Sequence, residues 1–519
     1  RHRKGIGEDL MAPVVLHDIL FSHGDAAASR TAIVDGDAAY SYTDLAQAVE
    51  RLAAAIAASG VTRGDRIGIL LPKSFLECAA IFAASRAGGV FIPINPVLKP
   101  QQIAHILEDS GARCLVTNSN EASRLAEAAA VPPCLTVVET DAPLPEAVAP
   151  PPAVGIAQDL AAILYTSGST GTPKGVMLSH ANLLAGTRIV RTYLDIGPDD
   201  RILSILPFSF DYGLNQLLTT VEQGATIVLA SFQIGDQIVA ALAKHRITGL
   251  AGVPTIWAIL SKAAPSLAKT PLPHLRYVTN SGGAVPEATV RRLSQLLPST
   301  RIFLMYGLTE AFRSTFLPPE EVARRPTSIG KAIPECEVFP VTPDGRRAKP
   351  GEPGILVHRG PTVSLGYWRR PEDTARVLRP NPLRDPHQGA DIVCYSGDLV
   401  VEDEEGFLFF VGRQDAMIKS AGYRISPTEV EDVLMSTGAF RQIAVVGLPD
   451  DWIGQKVCAV GVPMNGHVDT KAVLSAASER LPGHMVPARI DIVDLLPQTP
   501  NGKVDYKALV AERVAPRPS

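Results

Sequence analysis

Tyr165-Thr-Ser-Gly-Ser-Thr-Gly-Thr-Pro-Lys-Gly175 is the stretch that decides how this chain is read. Glycines, hydroxyl side chains and one lysine crowd into it, so it offers a flexible backbone rich in N–H and O–H donors. Such a segment can wrap an anion, as phosphate-binding loops do. It is not a Walker A loop, because that pattern ends in Gly-Lys-Ser/Thr, whereas Pro173 precedes Lys174 and Gly175 follows it. A bare Gly/Ser run reads as an ordinary surface loop; the order of residues here argues against that.

Outward from the loop, strands alternate with helices. The apolar run 161–165 leads in as a strand, and a helix starts at His180. Residues 66–71 and 90–94 read as buried strands, with a helix over 74–87 between them and another over 42–59 before them, capped by Ser41 or Thr43. Further short strands fall at 114–117, 226–229, 275–278 and 301–305. This alternation predicts α/β architecture with parallel layers. After Gly330 the texture changes to short strands at 337–340, 354–358 and 407–411 with turn signals such as Pro343-Asp344-Gly345, the mark of a β-rich subdomain. The stretches 130–153 and 379–386 read as surface loops. A compact mixed α+β segment runs from Ala416 to about Val510. The expected division is an N-terminal core over 11–414 and a small C-terminal domain over 415–519.

Composition fits that reading. The chain has 519 residues, 46% hydrophobic and 20% charged, enough for a large core and for three or four domains or subdomains at about 150 residues each. Its 49 basic and 53 acidic residues leave a net charge of −4, which argues against nucleic acid as the main ligand. The most apolar region, 67–94, is broken by Lys73, Glu77 and Arg86, so no membrane span is expected. Six cysteines without metal-ligand or paired spacing suit a reducing cytoplasm. Residues 1–10, beginning Arg1-His2-Arg3-Lys4, read as an expression remnant outside the fold, and no apolar signal-peptide core follows them.

Six motifs in order carry a family resemblance: the 166–175 loop, Tyr306-Gly-Leu-Thr-Glu310, Tyr395-Ser-Gly-Asp398, Gly412-Arg-Gln-Asp415, Lys419-Ser-Ala-Gly-Tyr-Arg-Ile425 and Asn501-Gly-Lys503. From Leu16 to Tyr506 the chain resembles the adenylate-forming superfamily of acyl-CoA synthetases, peptide-synthetase adenylation domains and luciferases. The resemblance implies a ligase that uses ATP and Mg2+ to join a carboxylic acid to AMP, releasing pyrophosphate, and then passes the acyl group to a pantetheine thiol.

It also implies site residues. Thr166, Ser167, Gly168, Ser169, Thr170, Gly171 and Lys174 match the loop that holds the β- and γ-phosphates. Thr309 matches the α-phosphate hydroxyl donor and Glu310 the Mg2+ ligand. Tyr306 is expected beside adenine, Asp398 on the ribose hydroxyls, and Arg413 on ribose or phosphate. Lys503 matches the catalytic lysine, Asp415 the hinge, and Gly422 the thiol tunnel. Read alone, Asp398 would be a turn residue, Glu310 a helix-start carboxylate and Lys503 a solvated charge.

For the acid, the resemblance implies a pocket of Phe210, Asp211, Asn215, Ser281, Gly282, Met305 and Arg313. Phe210-Asp211 stands where many CoA ligases carry an aromatic–His pair and is similar to the Phe-Asp of amino-acid-activating domains. A buried ammonium needs such a carboxylate, since leaving it unpaired would cost several kcal/mol. Arg313 would hold a second carboxylate bidentately. Together they suit an aspartate-like or β-amino acid, as in stand-alone 3-methylaspartate-type adenylation enzymes. The run 308–315 also resembles acyl-CoA ligases of bacterial exopolysaccharide and exosortase clusters. The competing readings are Asp211 as an N-cap for a helix over 212–222, Arg313 paired at the surface with Glu320 or Glu321, and an acyl-CoA synthetase for a non-amino acid. With no carrier segment within the chain, the thiol of a carrier protein or of CoA is expected in trans.

Overall fold

The computed structural model describes residues 13–24, 27–132, 135–142, 155–166, 173–414, 417–420, 423–450, 452–500 and 502–514. The chain forms two compact units. One comprises Arg1–Ser231, Thr309–Phe312 and Pro361–Thr374; the other comprises Phe232–Leu308, Arg313–Gly360 and Ala375–Ser519.

In the first unit a six-stranded sheet runs in the order Thr136–Glu139, Ala112–Thr117, Arg66–Leu70, Val90–Pro93, Leu160–Thr166, Lys174–Ser179. All pairs are parallel except the last, an antiparallel hairpin in which Thr166 faces Lys174. That hairpin pins both ends of the glycine-rich loop, whose residues Ser167, Gly168, Ser169, Thr170 and Gly171 lie outside the described residues. Helix Phe75–Arg86 is apolar on nearly every face and almost wholly buried, as a helix packed on all sides must be. Ser74 caps it by accepting from the Glu77 N–H, and Ser41 and Asp44 form a capping box on helix Tyr42–Ala58. Both helices pack into one core with Leu16, Phe91, Phe208 and Phe312.

The second unit has parallel strands Gly249–Gly252, Tyr277–Asn280 and Arg301–Tyr306. An antiparallel series follows: Thr315–Leu317, Ser328–Ala332, Leu408–Arg413, Ile392–Glu402, Pro353–Arg359 and Glu337–Val341. The C-terminal segment contributes its own five-stranded sheet, centred on the long pair Phe440–Asp450 and Gly454–Pro463, with helices Pro427–Ser436, Thr470–Ser478 and Tyr506–Val514.

Three expectations need correction. The stretch 130–153 is not all loop: Thr136–Glu139 adds a parallel edge strand to Ala112–Thr117. Strand 275–278 starts two residues later, at Tyr277, because the Leu275 N–H closes a turn on Leu272. Leu378–Pro380 is a short strand on Ile392–Glu402 rather than loop. No described helix is long and apolar enough to cross a membrane.

Gly330 sits at φ +86°, and a Cβ there would lie 1.9 Å from the Phe316 carbonyl oxygen. Gly330→Ala is therefore expected to destabilise the second unit by about 3 kcal/mol. A thermal melt should show an earlier transition; an unshifted melt would contradict this strand register.

Candidate active site

Within the second unit, Ser396-Gly397-Asp398 is not a turn but an irregularity inside strand Ile392–Glu402, where its register with Pro353–Arg359 shifts. Gly397 takes φ +74°, the Ser396 hydroxyl donates to the Leu356 carbonyl at 2.8 Å, and its oxygen accepts from the Asp398 N–H at 3.0 Å. The Asp398 carboxylate, 8% exposed, accepts from the Tyr306 hydroxyl at 2.5 Å. Arg413, opposite Asp398 in the ladder, brings Nε to 3.4 Å from it. Burial and the neighbouring Asp398 charge push the Tyr306 phenol well above its ordinary range, so it stays a proton donor. Three residues predicted for adenosine thus meet at one place. Tyr306 also stacks on His358, ring centres 6.0 Å apart, a neighbour that no motif signals.

The first unit joins Lys174 and Glu310 through a residue that sequence reasoning missed. Segment Pro361–Thr374 lies along strand Lys174–Ser179: the Met177 N–H donates to Gly366 O and the Trp368 N–H to Gly175 O, both at 2.8 Å. Tyr367 on that segment donates to Glu310 Oε1 at 2.6 Å, and Lys174 Nζ lies 5.7 Å from the centre of its ring. Lys174 Nζ is also 2.8 Å from Asp373 Oδ2. Thr309 and Glu310 stand in a single 3-10 turn.

Of the residues expected for the acid pocket, Phe210, Asp211 and Asn215 belong to the first unit and Ser281, Gly282, Met305 and Arg313 to the second. Asp211 is 5% exposed and is the first residue of helix Asp211–Glu222; Phe210 holds the N-cap position, so Asp211 is not the cap. One turn on, Asn215 is 3% exposed and its Nδ2 has no hydrogen-bond partner among the described residues. The loop before Phe210 is held by Lys73, which donates to Ser204 Oγ at 2.9 Å and to the Leu206 carbonyl and sits 4.3 Å over Phe208. Burial drives the Lys73 ammonium pKa down and the neighbouring Glu77 carboxyl pKa up.

In the second unit Ser281, Met305 and Arg313 are buried, and Gly282 takes φ +82°. Arg313 is 3% exposed, not a surface charge, while Glu321 is held by Arg325. Phe312 before it takes φ +33°, a strained turn for a bulky residue. Asn280 Oδ1 and Ser314 Oγ are buried without partners among the described residues. Lys503 is half-buried in a tight turn closed by Thr499 N–H to Lys503 O at 2.7 Å and Gly502 N–H to Thr499 O at 2.9 Å. Asp415 and Gly422 lie outside the described residues.

The model of the AMP-binding enzyme family matches residues 21–368 and that of its C-terminal domain residues 429–503, so the chain belongs to the AMP-binding enzymes. It is 34% identical over 483 residues to a feruloyl-CoA synthase of an Amycolatopsis species, covering 91% of this chain and 94% of that one. It is 32% identical to the L-proline–[L-prolyl-carrier protein] ligase of Streptomyces coelicolor, covering 95% of each. The o-succinylbenzoate coenzyme A synthetase of Bacillus subtilis, in complex with ATP and magnesium ion, superposes with TM-score 0.82 at 26% identity, over 95% of this chain and 98% of that one. By this membership the chain is an AMP-forming ligase.

His358 is buried, with neither ring nitrogen bonded among the described residues, and burial lowers its pKa to about 3. An unfolded histidine takes up a proton near 6.5, so between those values the unfolded chain binds more protons and stability rises with pH. His358→Phe should therefore flatten the loss of melting temperature as pH falls from 6.5 towards 3; parallel curves for the two proteins would contradict the burial.

Proposed function

We propose that this enzyme activates an amino acid, aspartate-like or β-amino, with ATP and transfers it to the pantetheine thiol of a carrier protein. The observation that carries the amino-acid reading is the burial of Asp211 at the start of its helix, beside the Asn215 amide. A carboxylate placed at a buried helix start is a fitting counter-charge for a substrate ammonium. The prolyl-carrier-protein ligase supports a carrier as acceptor. The feruloyl-CoA synthase supports the second reading, an acyl-CoA synthetase for a non-amino acid.

A carboxylate is a poor nucleophile toward an anionic phosphate, so the protein must gather two anions and stabilise charge as the bond forms. In our reading Thr166, Ser167, Gly168, Ser169, Thr170, Gly171 and Lys174 cradle the β- and γ-phosphates, with Lys174 exchanging Asp373 for phosphate. Thr309 donates to the α-phosphate. Asp398, oriented by Ser396 and Tyr306, accepts from the ribose hydroxyls, and Arg413 flanks it. Tyr306 and its neighbour His358 border the base. Lys503 bridges the substrate carboxylate and the α-phosphate. The carboxylate oxygen bonds to the α-phosphorus as the bond to pyrophosphate breaks; the thiol then displaces AMP from the acyl carbon.

Glu310 suits a magnesium ion: it offers one carboxylate oriented by the Tyr367 hydroxyl, a hard oxygen donor beside which phosphates and water would complete the coordination. When bound, that ion neutralises phosphate charge. Tyr367 fixes the Glu310 carboxylate in place. Between half-reactions the domain over 415–519 turns about Asp415, withdrawing Lys503 and bringing Gly422 to line the thiol tunnel.

Pyrophosphate exchange over a panel of amino, dicarboxylic, aryl and fatty acids tests the reading. Amino acids with a second carboxylate should lead; exchange with aryl or fatty acids alone would leave the acyl-CoA synthetase reading in its place. For the leading amino acid, Asp211→Asn should cost roughly 3–5 kcal/mol in kcat/KM. Unchanged exchange would remove Asp211 from the pocket.

A further inference from the structure

Helix Pro254–Lys262 begins where the parallel strand Gly249–Gly252 ends, on the edge of the sheet that also carries Asn280 and Tyr306 at its carboxyl ends. Thr255, in the helix's first turn, is buried. Its hydroxyl does not serve its own helix, which has no side-chain cap. Instead Thr255 Oγ1 donates to the Gly502 carbonyl at 3.0 Å. Gly502 takes φ +77°, and a Cβ there would lie 3.9 Å from Val253 Cγ2 and 4.0 Å from Thr255 Oγ1, so the turn rests against the helix start. The next residue is Lys503.

The far end of the same helix holds the same segment of chain. Lys262 Nζ donates to the Phe440 carbonyl at 3.1 Å and to the Arg441 carbonyl at 3.2 Å. These two lie where strand Phe440–Asp450 begins, and its register with Gly454–Pro463 slips between Phe440 and Gln442. One helix therefore grips the C-terminal segment twice, at the lysine-bearing turn and at the foot of its central strand.

We propose that Thr255 and Lys262 are positioning residues that hold the C-terminal domain with Lys503 set for the adenylation half-reaction. The proposal rests on the roles given above to Lys503 and to the turning domain. Thr255 acts through Gly502: its bond fixes the carbonyl of the peptide linking Gly502 to Lys503, and so the direction in which the lysine leaves the turn. Both grips break when the domain turns to its other face, so they favour the first half-reaction alone. A purely structural role would weaken both halves together.

The test separates the halves in Thr255→Val, Thr255→Ser, Lys262→Met and Lys503→Ala. Adenylation is read by pyrophosphate exchange with the panel acid that wild type exchanges fastest. Thioester formation is read from that acid's synthetic acyl-adenylate and pantetheine. Losing one neutral hydrogen bond should slow exchange about 5-fold in Thr255→Val, in kcat rather than in KM for ATP. Thioester formation should stay within about 2-fold of wild type, which also shows that the variant is folded. Thr255→Ser should restore exchange, and Lys262→Met should lower exchange selectively. Equal loss of both halves, or undiminished exchange in Thr255→Val, overturns the proposal while Lys503→Ala still abolishes exchange. Full exchange in Lys503→Ala overturns the reading of Lys503 instead, and the docking role with it.

Discussion

The parallel register of three strands is the constraint from which the second unit's site follows. Gly252 pairs with Asn280, and Asn280 with Leu304, so the three strands reach their carboxyl ends nearly level. Residues at and just beyond those ends are thereby brought side by side, where an α/β sheet carries its chemistry. Tyr306 stands two residues past Leu304, Ser281 and Gly282 follow Asn280, and the Thr255 helix follows Gly252. A slip of one residue would turn each side chain to the opposite face. Neighbouring antiparallel strands add Asp398 and Arg413 as a facing pair, so the carboxylate that meets Tyr306 is set by register too.

Local pattern carried most of the fold. Helix and strand periods were legible at residues 42–59, 66–71, 74–87 and 226–229 because burial there is strong and the caps are ordinary Ser side chains. The strand Thr136–Glu139 was not legible: it is short, lies at an edge and sits in a Pro- and Ala-rich stretch. The offset at Tyr277 has a similar cause, a turn formed by apolar residues that read as strand. Motif residues were legible because chemistry fixes their order along the chain. Their supports were not. Tyr367 meets Glu310 across 57 residues, and His358 reaches Tyr306 from another strand; neither leaves a periodic trace. Lone tyrosines and histidines read as core until the fold brings them beside a carboxylate or a ring.

Unpaired polar atoms in the buried interior are costly, about 1–3 kcal/mol each. The Asn215 amide, the Asn280 carbonyl oxygen and the Ser314 hydroxyl are among the described atoms that carry that cost, and each stands on or beside a position expected for the acid pocket. Apolar replacements of like shape would remove the penalty, so a purely structural account leaves all three unexplained. The strain at Phe312, φ +33°, belongs with these: it turns the chain so that Phe312 enters the first unit's core while Arg313 remains buried beside Ser314. Backbone strain persists only where surrounding packing over-determines it, and here the packing on Phe312 does so.

A domain that turns in every cycle must dock weakly. If one arrangement were favoured by more than about 5 kcal/mol, the other would be populated less than about once in several thousand molecules. One hydroxyl-to-carbonyl bond contributes about 1 kcal/mol, and an ammonium on two carbonyls about 1.5–3 kcal/mol. The proposed grips of Thr255 and Lys262 are polar bonds of this size. Their sum is enough to bias the arrangement and small enough to be broken on each turn. An apolar replacement that locked the helix to the strand Phe440–Asp450 would strengthen docking and slow the cycle, so polar docking is what a two-position enzyme requires.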